Sequence, residues 1–156
     1  MIKLLATMLV YHHNIKMLHW TCTGHNFDAT HEYLDNLAKQ LYEYTDVIAE
    51  IMMSKGMTLP SYTEAVKILE NDDNCVHVIV SGEDTHSACE CAKLSFEMFN
   101  ILYNKYDCAH KQPNGECYES DIVSILDEHM SWIRKEIFYK MKLRMEHDKV
   151  RTADNV

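Results

Sequence analysis

Five residues of the types that bind divalent transition metals stand at helical spacings: His19, His31, Asp35, Asp46 and Glu50, with Trp20 next to the first. On a wheel of about 100° per residue, with His31 at zero, Asp35 lies near 40°, Asp46 near 60° and Glu50 near 100°. The apolar stripe Leu34, Leu37, Leu41, Tyr44 and Ile48 lies on the far side of the same helix. A solvated polar face is the ordinary explanation of such an arc. Yet this arc also carries Ala38, Tyr42, Ala49 and Met53, a mixture suited to a contact surface.

Length decides how the ligands can meet. His31 and Asp35 are one turn apart, as are Asp46 and Glu50. The two pairs are separated by roughly 22 Å along the axis. One helix cannot bring both to one ion, but an antiparallel copy can. A two-fold axis near residues 39–41 would set the 31/35 pair of one chain against the 46/50 pair of another, twice. His19 precedes His31 by a short loop and a helix start, so it falls at the same end. Two imidazoles and three carboxylates suit Fe(II), and also Zn or Mn; open positions suit oxidation chemistry.

The elements that must hold these residues are helices. Glycine (4) and proline (2) are scarce, which disfavours turn-rich β folds. Helices are predicted over 1–21, with Gly24 as its stop, 28–53, 61–70 behind a Ser61/Glu64 capping box, 81–106 opening at Ser81-Gly82-Glu83-Asp84, and 120–146. Residues 75–80 read as a short strand or a loop. The expected fold is all-α: a four-helix bundle over 1–148 with a short helix in the middle connection, and a short polar tail over 149–156.

The net charge of -9 lacks the basic footprint of a nucleic-acid binder. No apolar stretch is long enough to span a bilayer, and no signal peptide is evident, so a cytoplasmic protein with its six cysteines reduced is expected.

His19-Trp20, Gly24, Asn26-Phe27, His31, Asp35, Asp46 and Ala49-Glu50 together resemble the signature of the Dps-type miniferritins, within the ferritin-like superfamily. There, an HW pair precedes G-x-x-F-x-x-x-H-x-x-x-D, followed by D-x-x-A-E. The register matches over residues 19–50, and Trp132-Ile133-Arg134 resembles a later region of the family. The resemblance implies a homododecameric cage that oxidises Fe(II), preferentially with hydrogen peroxide, and stores ferric mineral. His19, His31 and Asp35 would come from one subunit and Asp46 and Glu50 from its mate, with Trp20 beside the site as a trap for stray radicals.

Some features depart from that pattern. A Lys/Arg-rich leading tail is not seen, so strong DNA binding is not expected. Cys22 within the signature loop reads as an inert small residue, Cys89 and Cys91 as packing residues, and His12, His13, His25, His77, His86, His129 and His147 as structural or surface residues. Cys108, His110 and Cys117 lack the spacing of a zinc site. Asp107, Glu116, Glu119 and Asp121 fall where the family forms cation pores. An intrachain di-iron centre is disfavoured, because only Glu83-x-x-His86 has the required spacing. The remaining alternative is a helical interaction or shell protein with an inactive or non-iron site.

Overall fold

The computed structural model describes residues 1–72, 84–111 and 118–141. Five α-helices account for nearly all of them: α1 (Ile2–Thr21), α2 (Phe27–Ser54), α3 (Tyr62–Glu70), α4 (Ala88–His110) and α5 (Ser120–Ile133), the last continuing as a π-helix over Arg134–Met141. The all-α four-helix bundle is as expected, with α3 as the short helix of the middle connection. The strand considered for 75–80 and the tail 149–156 lie outside the described residues.

Helix α1 is the central post. It packs against α2, α3 and α4. Leu4, Leu5, Met8, Tyr11, Ile15 and Leu18 are all buried, and so are Ala6 and Val10 on intervening faces. Each such large side chain withdrawn from water stabilises the fold by roughly 2 kcal/mol before the entropic cost of ordering it. Helix α2 is different in kind. It buries one stripe, Leu34, Leu37, Leu41, Ile48 and Met52, and leaves Tyr42, Asp46, Glu50 and Met53 exposed. That amphipathic split follows the sequence periodicity.

The joint between α1 and α2 is compact. The α1 helix stops at Thr21, and Cys22–Thr23 form a two-residue strand, β1. Gly24 (φ 89) and Asn26 (φ 64) then take left-handed conformations that turn the chain into α2. Glycine adopts that region freely and asparagine tolerates it better than most residues. The second helix begins at Phe27, within a residue of the predicted start.

Helix α4 starts later than its sequence signal suggested. Asp84 and Thr85 are not helical, and His86–Ser87 form a second strand, β2, parallel to β1 with Cys22 opposite His86. The cap is Ser87: its hydroxyl accepts the Glu90 N–H, and the Glu90 carboxylate accepts the Ser87 N–H at 2.8 Å. Ser81-Gly82-Glu83-Asp84 therefore do not open this helix; Ser87-x-x-Glu90 is a complete capping box and wins. At its other end α4 runs on to His110, past the predicted Tyr106. The fourth long helix also departs from regularity, widening into the π-helix after Ile133, where the Glu136 carbonyl accepts the Tyr33 hydroxyl at 2.9 Å.

Candidate metal centre

The last turn of α1 supplies His19, and the first turns of α2 supply His31 and Asp35. The two imidazoles stack with centroids 3.7 Å apart and planes 26° from parallel. Each ring is tied to the backbone of the other. His19 Nδ1 lies 2.9 Å from the His31 carbonyl, and His31 Nδ1 lies 2.8 Å from the His19 carbonyl. A carbonyl only accepts, so both Nδ1 atoms carry hydrogen and donate. That sets the tautomer a ring has when neutral, with Nε2 as the nitrogen left to bind a metal. A metal-binding imidazole is ordinarily oriented in this way, by a carbonyl that holds its other nitrogen.

Burial also favours the neutral state. His19 is 8% exposed, and removal from water pulls its pKa below the usual imidazole value, against a smaller raising effect of the His31 carbonyl. Phe27 stacks on the outer face of His31 at 5.0 Å. Cys22 closes the inner side: its thiol donates to the His19 carbonyl at 3.5 Å and lies 4.0 Å from His31 Nδ1. Burial raises the Cys22 pKa, which keeps it a protonated thiol, as expected of an inert residue.

Asp35 brings an arrangement that spacing did not reveal. Lys16 donates to Oδ1 at 2.8 Å, and Lys39 sits 2.7 Å from Oδ2. The two ammonium groups hold the Asp35 carboxyl well below the usual carboxylate range. Lys39 was legible as an i,i+4 partner; Lys16, on another helix, was not. Lys16 also lies 5.5 Å from the centre of the Trp20 ring, which is 61% exposed. The ammonium of Lys16 thus marks a position beside Asp35 and Trp20 where positive charge is welcome.

Asp46 and Glu50 do not join this group within one chain. Both are exposed, on the outward face of α2 with Tyr42 and Met53, which are 61% and 59% exposed. Among the described residues, no group of three or more His, Cys, Asp or Glu within one chain is placed to hold a metal ion.

The other candidates stand elsewhere in the fold. His129 is 2% exposed in the bundle interior, and His86 belongs to β2, its Nδ1 3.2 Å from the Thr21 hydroxyl. Helical Glu-x-x-His geometry therefore does not arise at His86. Asp107 pairs with Lys111 at 2.6 Å and Glu119 with Lys55 at 2.7 Å. Cys91 is buried, whereas Cys89 is exposed and does not pack as expected. Glu83, Glu116 and Cys117 lie outside the described residues, and with Cys117 the zinc arrangement considered above. No described helix is long and apolar enough to cross a membrane.

A comparison with curated proteins finds no match. The profile of the ferritin-like domain matches residues 2–112. That span takes in α1 to α4 and both imidazoles, and its fold is one that fits iron storage in general. The chain belongs to the ferritin-like domain family.

Proposed function

We propose that the protein is a Dps-type miniferritin subunit: a ferroxidase that oxidises Fe(II), with hydrogen peroxide as the favoured oxidant, and stores the ferric product in a homododecameric cytoplasmic cage. The observation that carries this reading is the reciprocal tie between His19 and His31, which occupies both Nδ1 atoms and leaves two Nε2 atoms beside Asp35. Asp46 and Glu50 stand exposed on the same outward face of α2, as an isologous two-fold contact needs. In that dimer, His19, His31 and Asp35 of one subunit and Asp46 and Glu50 of its mate bind each iron pair. The bundle would extend over 1–148, leaving 149–156 as a tail.

The chemistry follows from the donor set. Imidazole and carboxylate hold Fe(II) with few strong ligands and leave room for peroxide. Two Fe(II) ions, one hydrogen peroxide and two protons give two Fe(III) ions and two waters. Carboxylates favour the higher charge of the product. Strong DNA binding is not part of this function, given the net charge of -9.

One observation favours a second reading. Both Asp35 oxygens are already paired with lysines, as a shell protein with an inactive or non-iron site would allow. Anaerobic Fe(II) loading followed by a peroxide pulse separates the two. Rapid ferric absorbance in a large soluble assembly, lost in His31→Ala with Asp46→Ala, supports the ferroxidase. Oxidation no faster than in buffer, in an assembly of the same size, leaves the shell reading.

A further inference from the structure

A second cluster of oxidisable and titratable side chains lies away from the candidate centre, in the interior between α2, α4 and α5. Tyr106 (α4) and His129 (α5) are 1% and 2% exposed. The Tyr106 hydroxyl lies 2.9 Å from His129 Nδ1 and 3.4 Å from Met8 Sδ. With the hydrogen of His129 on Nε2, the phenol donates to the bare Nδ1, a stronger acceptor than the Met8 thioether. One face of His129 stacks on Tyr44 of α2, with centroids 3.7 Å apart and planes 20° from parallel. Tyr44 in turn meets the Trp132 ring edge-on at 5.3 Å.

Packing alone would be served by phenylalanine and leucine. Instead, the core holds side chains that surrender single electrons, and one of them is bonded to a base. Phenol oxidation at neutral pH requires a place for the proton, and a buried phenol has no water to take it. Burial pulls His129 down to about 4 and raises Tyr106 well above its ordinary value. At neutral pH, therefore, the phenol is protonated and the imidazole is neutral and able to accept.

We propose that Tyr106 is a redox-active residue, with His129 as its proton acceptor and Tyr44 as the relay that connects it to the outward face of α2. The inference rests on the ferroxidase reading for its oxidant. Tyr44 precedes Asp46 by two residues, so the two point to opposite sides of α2, about 10 Å apart across the helix. Electrons cross that distance readily in proteins.

The oxidant is a hydroxyl radical, formed when a lone Fe(II) reduces hydrogen peroxide by one electron and releases hydroxide. One electron leaves Tyr106 for the hydroxyl radical, which becomes a second hydroxide. The phenolic proton crosses to His129 Nδ1. The result is a neutral phenoxyl radical hydrogen-bonded to an imidazolium. A second Fe(II) returns the electron, becoming Fe(III), and His129 returns the proton. Both oxidising equivalents of the peroxide then end on iron, even when the two irons arrive in succession.

The test uses the full-length assembly and two oxidants. Flash photolysis with a ruthenium polypyridyl sensitiser and persulfate oxidises side chains without iron; the Fe(II) and peroxide pulse follows separately. Electron paramagnetic resonance should show a long-lived tyrosyl signal in both arms, lost in Tyr106→Phe and shortened several-fold in lifetime in His129→Gln. Should Tyr106→Phe fail to fold, mapping of oxidised tyrosine in the unaltered protein decides, with the mark expected on Tyr106. An unchanged signal in Tyr106→Phe, or marks confined to Trp20 and the exposed Tyr42 and Tyr139, overturns the proposal. A Tyr106 signal in the flash arm with no iron oxidation in the other would sink the ferroxidase reading and leave the redox role of Tyr106 standing.

Discussion

The bundle contains histidines in two opposite predicaments. At the α1–α2 joint, His19 and His31 spend their Nδ1 hydrogens on each other's carbonyls and keep Nε2 for something else. In the interior, His129 turns Nδ1 to a phenol and lies between aromatic rings. Burial is the leading cause that favours neutral imidazole at both His19 and His129. Burial of the ring therefore does not distinguish a candidate ligand, His19, from a core residue, His129. The distinction is made by what Nδ1 faces: a carbonyl at the joint, which fixes the hydrogen on Nδ1, and a phenol in the interior.

The largest expected effect breaks the first region. His31→Ala with Asp46→Ala should weaken Fe(II) or Co(II) binding by more than the roughly 10–100-fold that loss of an outer-shell partner costs. Isothermal titration on an assembly of unchanged size measures it; unchanged affinity would place the metal elsewhere.

The next acts on the second region alone. His129 titrates near 4 in the folded chain and near 6.5 unfolded. Below about pH 6.5 the unfolded chain takes up a proton that the native state refuses, so stability should fall as pH drops from about 6.5 towards 4, by up to about 3 kcal/mol. Denaturant unfolding against pH should show that slope, and His129→Gln should flatten it. A slope that survives the substitution assigns the acid sensitivity to other groups.

A smaller change sharpens the first region. Lys16→Met removes one of the cations on Asp35 and should raise divalent-metal affinity on the order of tenfold, with little change in melting temperature. A fall in affinity would show that Lys16 positions Asp35 for the metal rather than competing with it. The smallest effect concerns the frame around that site. Ser87→Ala deletes the α4 cap beside the β1–β2 pair and should cost about 1 kcal/mol of stability, with iron oxidation unchanged. Lost oxidation would mean that the strand pair holds the imidazoles in place.

Most of the frame was legible because helices announce themselves by period. The stripe from Leu34 to Ile48 on α2 fixed both its core face and the outward face that bears Asp46 and Glu50. The position of His19 beside His31 also followed, since only a short joint separates their helices. Three things were not legible. The β1–β2 pair joins residues far apart in sequence and is too short to show alternation. The start of α4 is signalled at Ser81-Gly82-Glu83-Asp84, whereas the helix opens behind the Ser87/Glu90 capping box, next to the pairing of His86 with Cys22. Lys16 reaches Asp35 across helices, a contact with no spacing rule.

The pairing of His19 with His31 has a thermodynamic consequence. Each hydrogen bond runs from one ring to the other residue's backbone, so truncation at either position leaves the other ring its acceptor. What couples the two rings is their stacking at 3.7 Å and the ion they are proposed to share. The pair should therefore respond as one unit in a double-mutant cycle. His19→Ala and His31→Ala would each forfeit most of what the double substitution forfeits, and their separate costs would sum to well over the total. In the proposed centre, two positions twelve residues apart would count as a single bidentate group, with both Nδ1 atoms already held by backbone.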